Sequence, residues 1–108
     1  MKIINYHDIK AVQEFPGVAM REAITAEEAP RFYMRVYELE PGGATKIHTH
    51  WWEHELFVIS GQGLLDTGQE KIAITQDNVL YIAPEEPHGF INNGSQLLRY
   101  ILLNPRNR

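Results

Sequence analysis

The sequence predicts an all-β fold of antiparallel strands arranged as a sandwich or barrel. Three observations carry this. About eight or nine short runs rich in branched and aromatic residues follow one another. Turn-forming residues interrupt them roughly every eight to twelve positions. No apolar pattern of helical period extends beyond a turn or two, so the crossover helices that a parallel sheet requires are missing.

Taken in order, Ile9, Val12 and Phe15 suit either one helical turn or a lone edge strand before Pro16-Gly17 breaks the pattern. Val18 to Ile24 reads as a strand, followed by the polar connection Thr25 to Pro30. Phe32 to Glu40 is the clearest strand, and alternation sets Phe32, Met34, Val36 and Glu38 on one face and Tyr33, Arg35, Tyr37 and Leu39 on the other. Pro41-Gly42-Gly43 turns sharply, because glycine accepts positive φ and proline fixes its own. A histidine-bearing strand is expected directly after it. Leu56 to Ser60 is an apolar run, Gly61-Gln62-Gly63 a turn, and Leu64-Leu65 leads into the hairpin signal Asp66-Thr67-Gly68. Lys71 to Thr75 alternates, and Gln76-Asp77-Asn78 turns the chain with Asn tolerated in the left-handed region. Val79 to Ala83 stops at Pro84, His88 to Asn92 is short, Asn93-Gly94 turns, and Leu97 to Leu103 is the last strand.

A length of 108 residues fits a single domain, 1–108, divided into an arm with the first strands (1–31) and a barrel core (32–103). Hydrophobic content of 44% with 22% charged residues is that of a globular chain and excludes disorder. No apolar run approaches the roughly eighteen residues of a membrane span, and Asn5 and Asp8 interrupt the amino-terminal pair Ile3-Ile4, so a cytoplasmic location is expected. The absence of cysteine removes disulfides, thiolate ligands, iron-sulfur clusters and cysteine nucleophiles. A formal charge of -4, with no basic stripe, speaks against nucleic acid. No Ser-His-Asp order, phosphate loop or dinucleotide fingerprint is present.

The chemistry concentrates in His48-Thr49-His50-Trp51-Trp52-Glu53-His54-Glu55, which holds three of the five histidines, with His88 standing alone downstream. On extended chain His48 and His50 project the same way, and His54 shares their parity if the strand turns a corner. A lone histidine is ordinarily a surface or hydrogen-bonded core residue. Three on one face are different, because clustered imidazoles add nothing to apolar packing and each buried unsatisfied polar group costs about 1–3 kcal/mol. A metal site on nitrogen and oxygen ligands accounts for them.

These residues resemble the cupins, small jelly-roll barrels marked by two motifs. The first, G-(x)5-H-x-H-(x)3,4-E-(x)6-G, is met by Gly42, His48 and His50, with Gly61 within one position of the closing glycine. The second, G-(x)5-P-x-G-(x)2-H-(x)3-N, is met in its latter half by Pro84, His88 and Asn92. It lacks its first glycine, where Asp77 or Asn78 stands, and is one residue short between Pro84 and His88. The resemblance spans about residues 32 to 103 and implies an antiparallel jelly-roll barrel. Where the family usually carries a glutamate ligand, this chain has His54 followed by Glu55. Small bacterial cupins with a similar H-x-H-x-W-E-H-E run bind their ion through four histidines, here His48, His50, His54 and His88. Glu55 as third ligand is the alternative, although its parity differs from that of the histidines.

The resemblance implies one divalent transition-metal ion per chain, manganese or iron first, with zinc, nickel and copper also compatible. Four neutral imidazoles on a six-coordinate ion leave two positions for water or substrate, the arrangement of a working ion rather than a structural one. The expected function is that of a metal-dependent enzyme on a small organic substrate, an oxygenase-like oxidoreductase first. The alternatives are a non-catalytic binding or sensing module and a sugar-modifying isomerase, which needs a His and Tyr pair away from the metal. Alternation turns Arg35 and Tyr37 inward if Leu39 is core, Phe90 shares the face of His88, and Tyr100 and Leu102 complete the expected substrate pocket. An inward Arg35 calls for an anion, from Glu38, Glu40, Glu53 or a ligand. Trp51 and Trp52 are expected at the rim or at a subunit contact. A homodimer is expected from the surplus apolar positions Trp51, Val58, Ile59 and Ile74, with a small molecule as the other partner and neither nucleic acid nor membrane.

Overall fold

The computed structural model describes residues 1–106. A single 3-10 turn, Tyr6–Asp8, precedes nine strands among the described residues: β1 Val12–Phe15, β2 Val18–Ile24, β3 Phe32–Leu39, β4 His54–Ser60, β5 Gln62–Asp66, β6 Lys71–Thr75, β7 Val79–Ile82, β8 Gly89–Ile91 and β9 Leu98–Pro105. Of the two elements that Ile9, Val12 and Phe15 allow, the chain forms the edge strand, β1, while the 3-10 turn lies upstream of them. No helix among the described residues is long and apolar enough to cross a membrane.

The strands form two antiparallel sheets, β1-β2-β3-β9-β4-β7 and β6-β5-β8, the layers of a jelly roll. Leu39, Leu56, Val58, Leu98 and Tyr100 of the larger sheet meet Ile74 and Phe90 of the smaller one in a single apolar cluster. Each fully buried aliphatic side chain there contributes about 1.5–3 kcal/mol. Burial alternates along β4 as far as Val58, whereas β3 buries Tyr33, Val36 and Leu39 because both of its faces are partly covered. In β9 the alternation holds from end to end, with Leu98, Tyr100, Leu102 and Asn104 buried and the residues between them half-buried.

Four local expectations are corrected. The histidine segment is not a regular strand: from Ala44 to Glu53 it is extended but irregular, paired only by isolated bridges at Ala44↔Ile91 and His48↔His88, and β4 begins at His54. Gly61 alone makes the expected Gly61-Gln62-Gly63 turn, with φ of +84° and a position where a Cβ would lie 2.3 Å from the Leu97 carbonyl oxygen; Gln62 and Gly63 already belong to β5. Asp77, not Asn78, takes the left-handed conformation, with φ of +72°, while the Asn78 side chain accepts from the Thr75 amide at 2.9 Å. Val58 and Ile74, expected on an outer face, are core residues at 1% and 6% exposure, because β4 and β6 turn them toward the space between the sheets.

Candidate metal centre

The site lies where the irregular segment, the start of β4 and the entry to β8 converge at one end of the space between the sheets. The His48 and His88 amides donate to each other's carbonyls at 3.1 Å, and the Glu85 amide donates to the His50 carbonyl at 2.7 Å. Thr45 adds two bonds to Phe90, one from its amide and one to its hydroxyl. These contacts bring the two histidine-bearing segments together without a continuous ladder. Glu85 takes φ of +68°, a conformation that costs a non-glycine residue energy and that clusters at functional sites. Downstream, Asn92 is buried and donates to the Leu39 and Gln96 carbonyls at 2.7 and 2.8 Å, so the last residue of the second motif fixes the chain rather than facing the site.

His48, His50 and His88 offer ligand atoms that all lie within 4.8 Å of one another. The tight set therefore numbers three histidines, not four. His54 stands beside it, at the buried start of β4, with its Nε2 2.9 Å from His50 Nε2 and its ring 5.2 Å from that of His88. Glu55 points the other way, exposed on the outer side of β4 beside a groove it shares with Glu53 and Arg31.

In all four imidazoles Nδ1 faces a backbone carbonyl: Lys46 at 3.0 Å for His48, Trp52 at 2.7 Å for His50, Leu103 at 3.2 Å for His54 and Glu86 at 2.9 Å for His88. A carbonyl only accepts, so Nδ1 carries the hydrogen in each ring, and in the neutral form every Nε2 is a bare lone pair. Two consequences bear on a metal ion. His88 Nε2 is buried with no protein partner, and the His50 and His54 lone pairs face each other at a distance that is repulsive without a cation between them. A proton is disfavoured in that role. Burial lowers the pKa of His50 and His88 and takes that of His54 down to about 4, and the neighbouring imidazoles add to the effect. Neutral imidazoles with fixed tautomers and converging Nε2 atoms fit a divalent transition metal, and the carbonyls are the outer partners such ligands usually have.

A cavity of about 380 Å³ opens on the histidines. Arg35, Tyr37, Phe90, Tyr100 and Leu102 all line it, together with all four histidines. Phe90 packs against Tyr100 at 4.6 Å between ring centroids, and Tyr100 stacks on Tyr37 at 5.4 Å, forming one aromatic wall. Burial raises the Tyr37 phenol to about 12, with the nearby Glu14 carboxylate adding to the shift and Arg35 opposing it. The anion near Arg35 is none of the three glutamates expected. Its guanidinium lies 3.7 Å from Glu22, the neighbour that strand pairing supplies, while Glu38 pairs with Arg21. His7 is exposed on the amino-terminal turn and is not among the residues lining the cavity.

Sequence reasoning left out Glu14, Phe15, Trp52 and Asn104, which also line the cavity. Trp51 is exposed, as a rim residue should be, but Trp52 stacks on the His50 ring at 3.9 Å, 7° from parallel. Asn104 receives the Trp52 indole N–H at 3.2 Å, and alternation from Tyr100 and Leu102 reaches it once the last strand is carried one residue further.

Comparisons with known proteins agree with this architecture. The cupin domain model Cupin_2 matches residues 35–104. The structure of the polyketide cyclase RemF from Streptomyces resistomycificus is 30% identical and superposes with a TM-score of 0.91 over the whole of this chain and 81% of that one. An uncharacterized protein of Methanocaldococcus jannaschii is 28% identical over 94% of this chain and 85% of its own length. The (S)-ureidoglycine aminohydrolase of Arabidopsis thaliana is 25% identical over 98% of this chain, which spans only 37% of that protein.

Proposed function

The chain belongs to the cupin family, and from that premise we propose that it is a metal-dependent enzyme acting on a small, oxygen-bearing organic substrate held in the aromatic cavity. The observation that supports this most is the set of Nε2 lone pairs turned toward one another with each Nδ1 tied to a carbonyl. In this reading His48, His50 and His88 hold the ion and His54 is the fourth donor. A divalent ion bound there supplies Lewis acidity toward a carbonyl, enol or hydroxyl oxygen and, if it is manganese or iron, one-electron chemistry as well. The protein's part is to keep the imidazoles neutral and oriented, to bind a planar substrate along Phe90, Tyr100 and Tyr37, and to exclude water. Tyr37, with its phenol held near 12, stays a hydrogen-bond donor throughout the physiological range.

Oxygenase-like chemistry remains the first expectation, with manganese or iron as the ion. A second reading, ring closure without net oxidation, is favoured by the 30% identity and full-length superposition with the polyketide cyclase. A sugar isomerase is less favoured, since among the described residues the histidines lining the cavity are the four of the imidazole cluster, which leaves none to act away from the ion. Elemental analysis of untagged protein is expected to give one divalent ion per chain. A folded protein that carries none and takes up none of manganese, iron or zinc would overturn the metal reading. Dioxygen uptake by the iron- or manganese-loaded protein with a polyphenolic substrate separates oxygenation from ring closure.

The homodimer belongs to the same proposal, with its face reassigned. The outer side of the larger sheet presents Ile24, Met34, Ile59 and Ile101 beside the exposed Ile3 and Ile4 of the amino-terminal arm, an apolar surface suited to a second copy. A sedimentation mass of twice 12.5 kDa supports it, and a mass of 12.5 kDa at micromolar concentration overturns it.

A further inference from the structure

The cavity has a second polar group of residues, away from the histidines, that the metal-centred reading does not use. Glu14 and Phe15 are consecutive in β1, yet both line the cavity. Strict alternation would send one of them outside. The register between β1 and β2 explains the exception: Gln13 pairs with Ala19 and Phe15 with Val18, and the shift between them is a bulge at Glu14. Bulges re-aim side chains, and are over-represented next to active sites for that reason. Phe15 packs against the core, whereas Glu14 is carried to the mouth as an exposed carboxylate.

The surroundings of Glu14 say what it would bind. Among the described residues it forms no ion pair, since Arg35 approaches Glu22 instead. Arg35, lining the same cavity, keeps a buried Nε donor with no acceptor in hydrogen-bonding geometry. Buried donors are rarely left this way unless a ligand or water completes them. Tyr37 lies beside both and continues the aromatic wall through Tyr100 to Phe90, two residues from His88. Glu14 takes a hydrogen bond from the Tyr37 phenol and keeps further acceptor capacity, and with the flat apolar path toward the histidines this suits a group that donates a hydrogen bond.

We propose that Glu14, with Arg35 and Tyr37, forms a second anchor at the cavity mouth that recognises a hydroxyl or phenol on the far end of a planar aromatic substrate whose near end chelates the ion. The Glu14 carboxylate accepts the hydroxyl hydrogen beside the hydrogen bond it takes from the Tyr37 phenol, and Arg35 supplies positive charge next to them. Chelation at the near end rests on the proposed function; the anchor adds that the substrate carries a second oxygen and that β1 reads it.

The test uses cobalt(II)-loaded protein, whose visible spectrum reports chelation, and hydroxamates as probes. Benzohydroxamate and 2-naphthohydroxamate are compared in two forms, one with a hydroxyl on the ring carbon farthest from the chelating group and one with a methoxy there, so that two lengths are sampled. The hydroxyl form is expected to bind about tenfold more tightly than the methoxy form for at least one length, the size of one hydrogen bond to a charged group. Glu14→Ala should abolish that preference, Glu14→Gln should restore part of it, and cobalt content and methoxy-probe affinity should stay within about twofold of the parent protein. Equal affinities of hydroxyl and methoxy probes at both lengths, or a preference that survives Glu14→Ala, would overturn the anchor while leaving the metal reading intact. Failure to take up cobalt, or no spectral response to any hydroxamate, would overturn the metal reading and the anchor with it.

Discussion

The two ends of the cavity are held by opposite means. The histidine end is built mostly on irregular chain, yet each of its imidazoles is locked through Nδ1 to a carbonyl. The mouth is built on strands, yet its charges are less tightly paired: Glu14 is exposed, and Arg35 lies over the Tyr33 ring and beside Tyr37 with its nearest carboxylate, Glu22, at 3.7 Å. Preorganisation is concentrated where the imidazole lone pairs face one another, the geometry that could hold an ion. Latitude is left where a substrate has to be read. The largest effect expected from breaking the first end is on metal retention. If the proposed site binds its ion through four nitrogens, losing one removes roughly a quarter of the 10–16 kcal/mol that four-ligand sites provide, so His50→Ala or His88→Ala should weaken binding about a hundred- to a thousandfold. Competition titration against a chelator measures this, and a loss below tenfold at both positions would make the histidine end as tolerant as the mouth.

The same locking has a cost that pH exposes in metal-free protein. The folded-state pKa of His54 lies near 4, below the ordinary 6.5, and those of His50 and His88 are also lowered, all chiefly by burial. The unfolded chain therefore binds more protons than the native one below about pH 6.5, so stability is full above that value and falls as pH drops toward 4. Urea denaturation of the apoprotein at pH 7.5 and pH 4.5 checks the sign. His54→Gln should flatten the profile, whereas Glu14→Gln at the mouth should leave it sloping.

The contrast between the ends also explains what could be read from residues alone. Spacing was enough for His48, His50 and His88 because a short extended segment keeps its parity even without a regular ladder, and the bridge at His48↔His88 joins the two motifs. Arg35, Tyr37, Tyr100 and Leu102 are legible because β3 and β9 pair without a register shift from Phe32 to Leu39, so the pleat keeps its parity where they stand. Glu14 was hidden, since a bulge reverses parity and leaves no composition signal. Val58 and Ile74 were misassigned to an outer face because an apolar run alone does not say which of its residues face inward; Leu56, Val58 and the pairing to β7 and β9 decide that.

A smaller effect is expected from the residues that steady the histidine end from behind. Asn104 accepts the Trp52 indole hydrogen, and Trp52 stacks on His50, so Asn104→Ala removes that hydrogen bond without altering a histidine. Outer-partner changes typically cost 10- to 100-fold, and a group two contacts away should fall at the lower bound, about tenfold in metal affinity. Trp52→Phe, which keeps a stacked ring but loses the N–H, should match Asn104→Ala; Trp52→Ala should exceed both.

The smallest effect sharpens the contrast most, because it concerns neighbours in sequence. His54 and Glu55 stand side by side at the start of β4, but His54 is buried with its Nε2 at 2.9 Å from His50, and Glu55 is exposed on the opposite side of the strand. Reaching the ion would require Glu55 to rotate β4 by one residue. Its pairings to Tyr81 and Leu103 hold it in place, and such a slip would drive Leu56 and Val58 out of the core. Glu55→Ala should therefore keep metal affinity within about twofold, the range of ordinary surface substitutions. His54→Ala should lose as much as His50→Ala if all four imidazoles act together. Loss of the ion from Glu55→Ala with retention in His54→Ala would return the site to three histidines and a carboxylate, with the lone-pair contact between His50 and His54 then needing another cause.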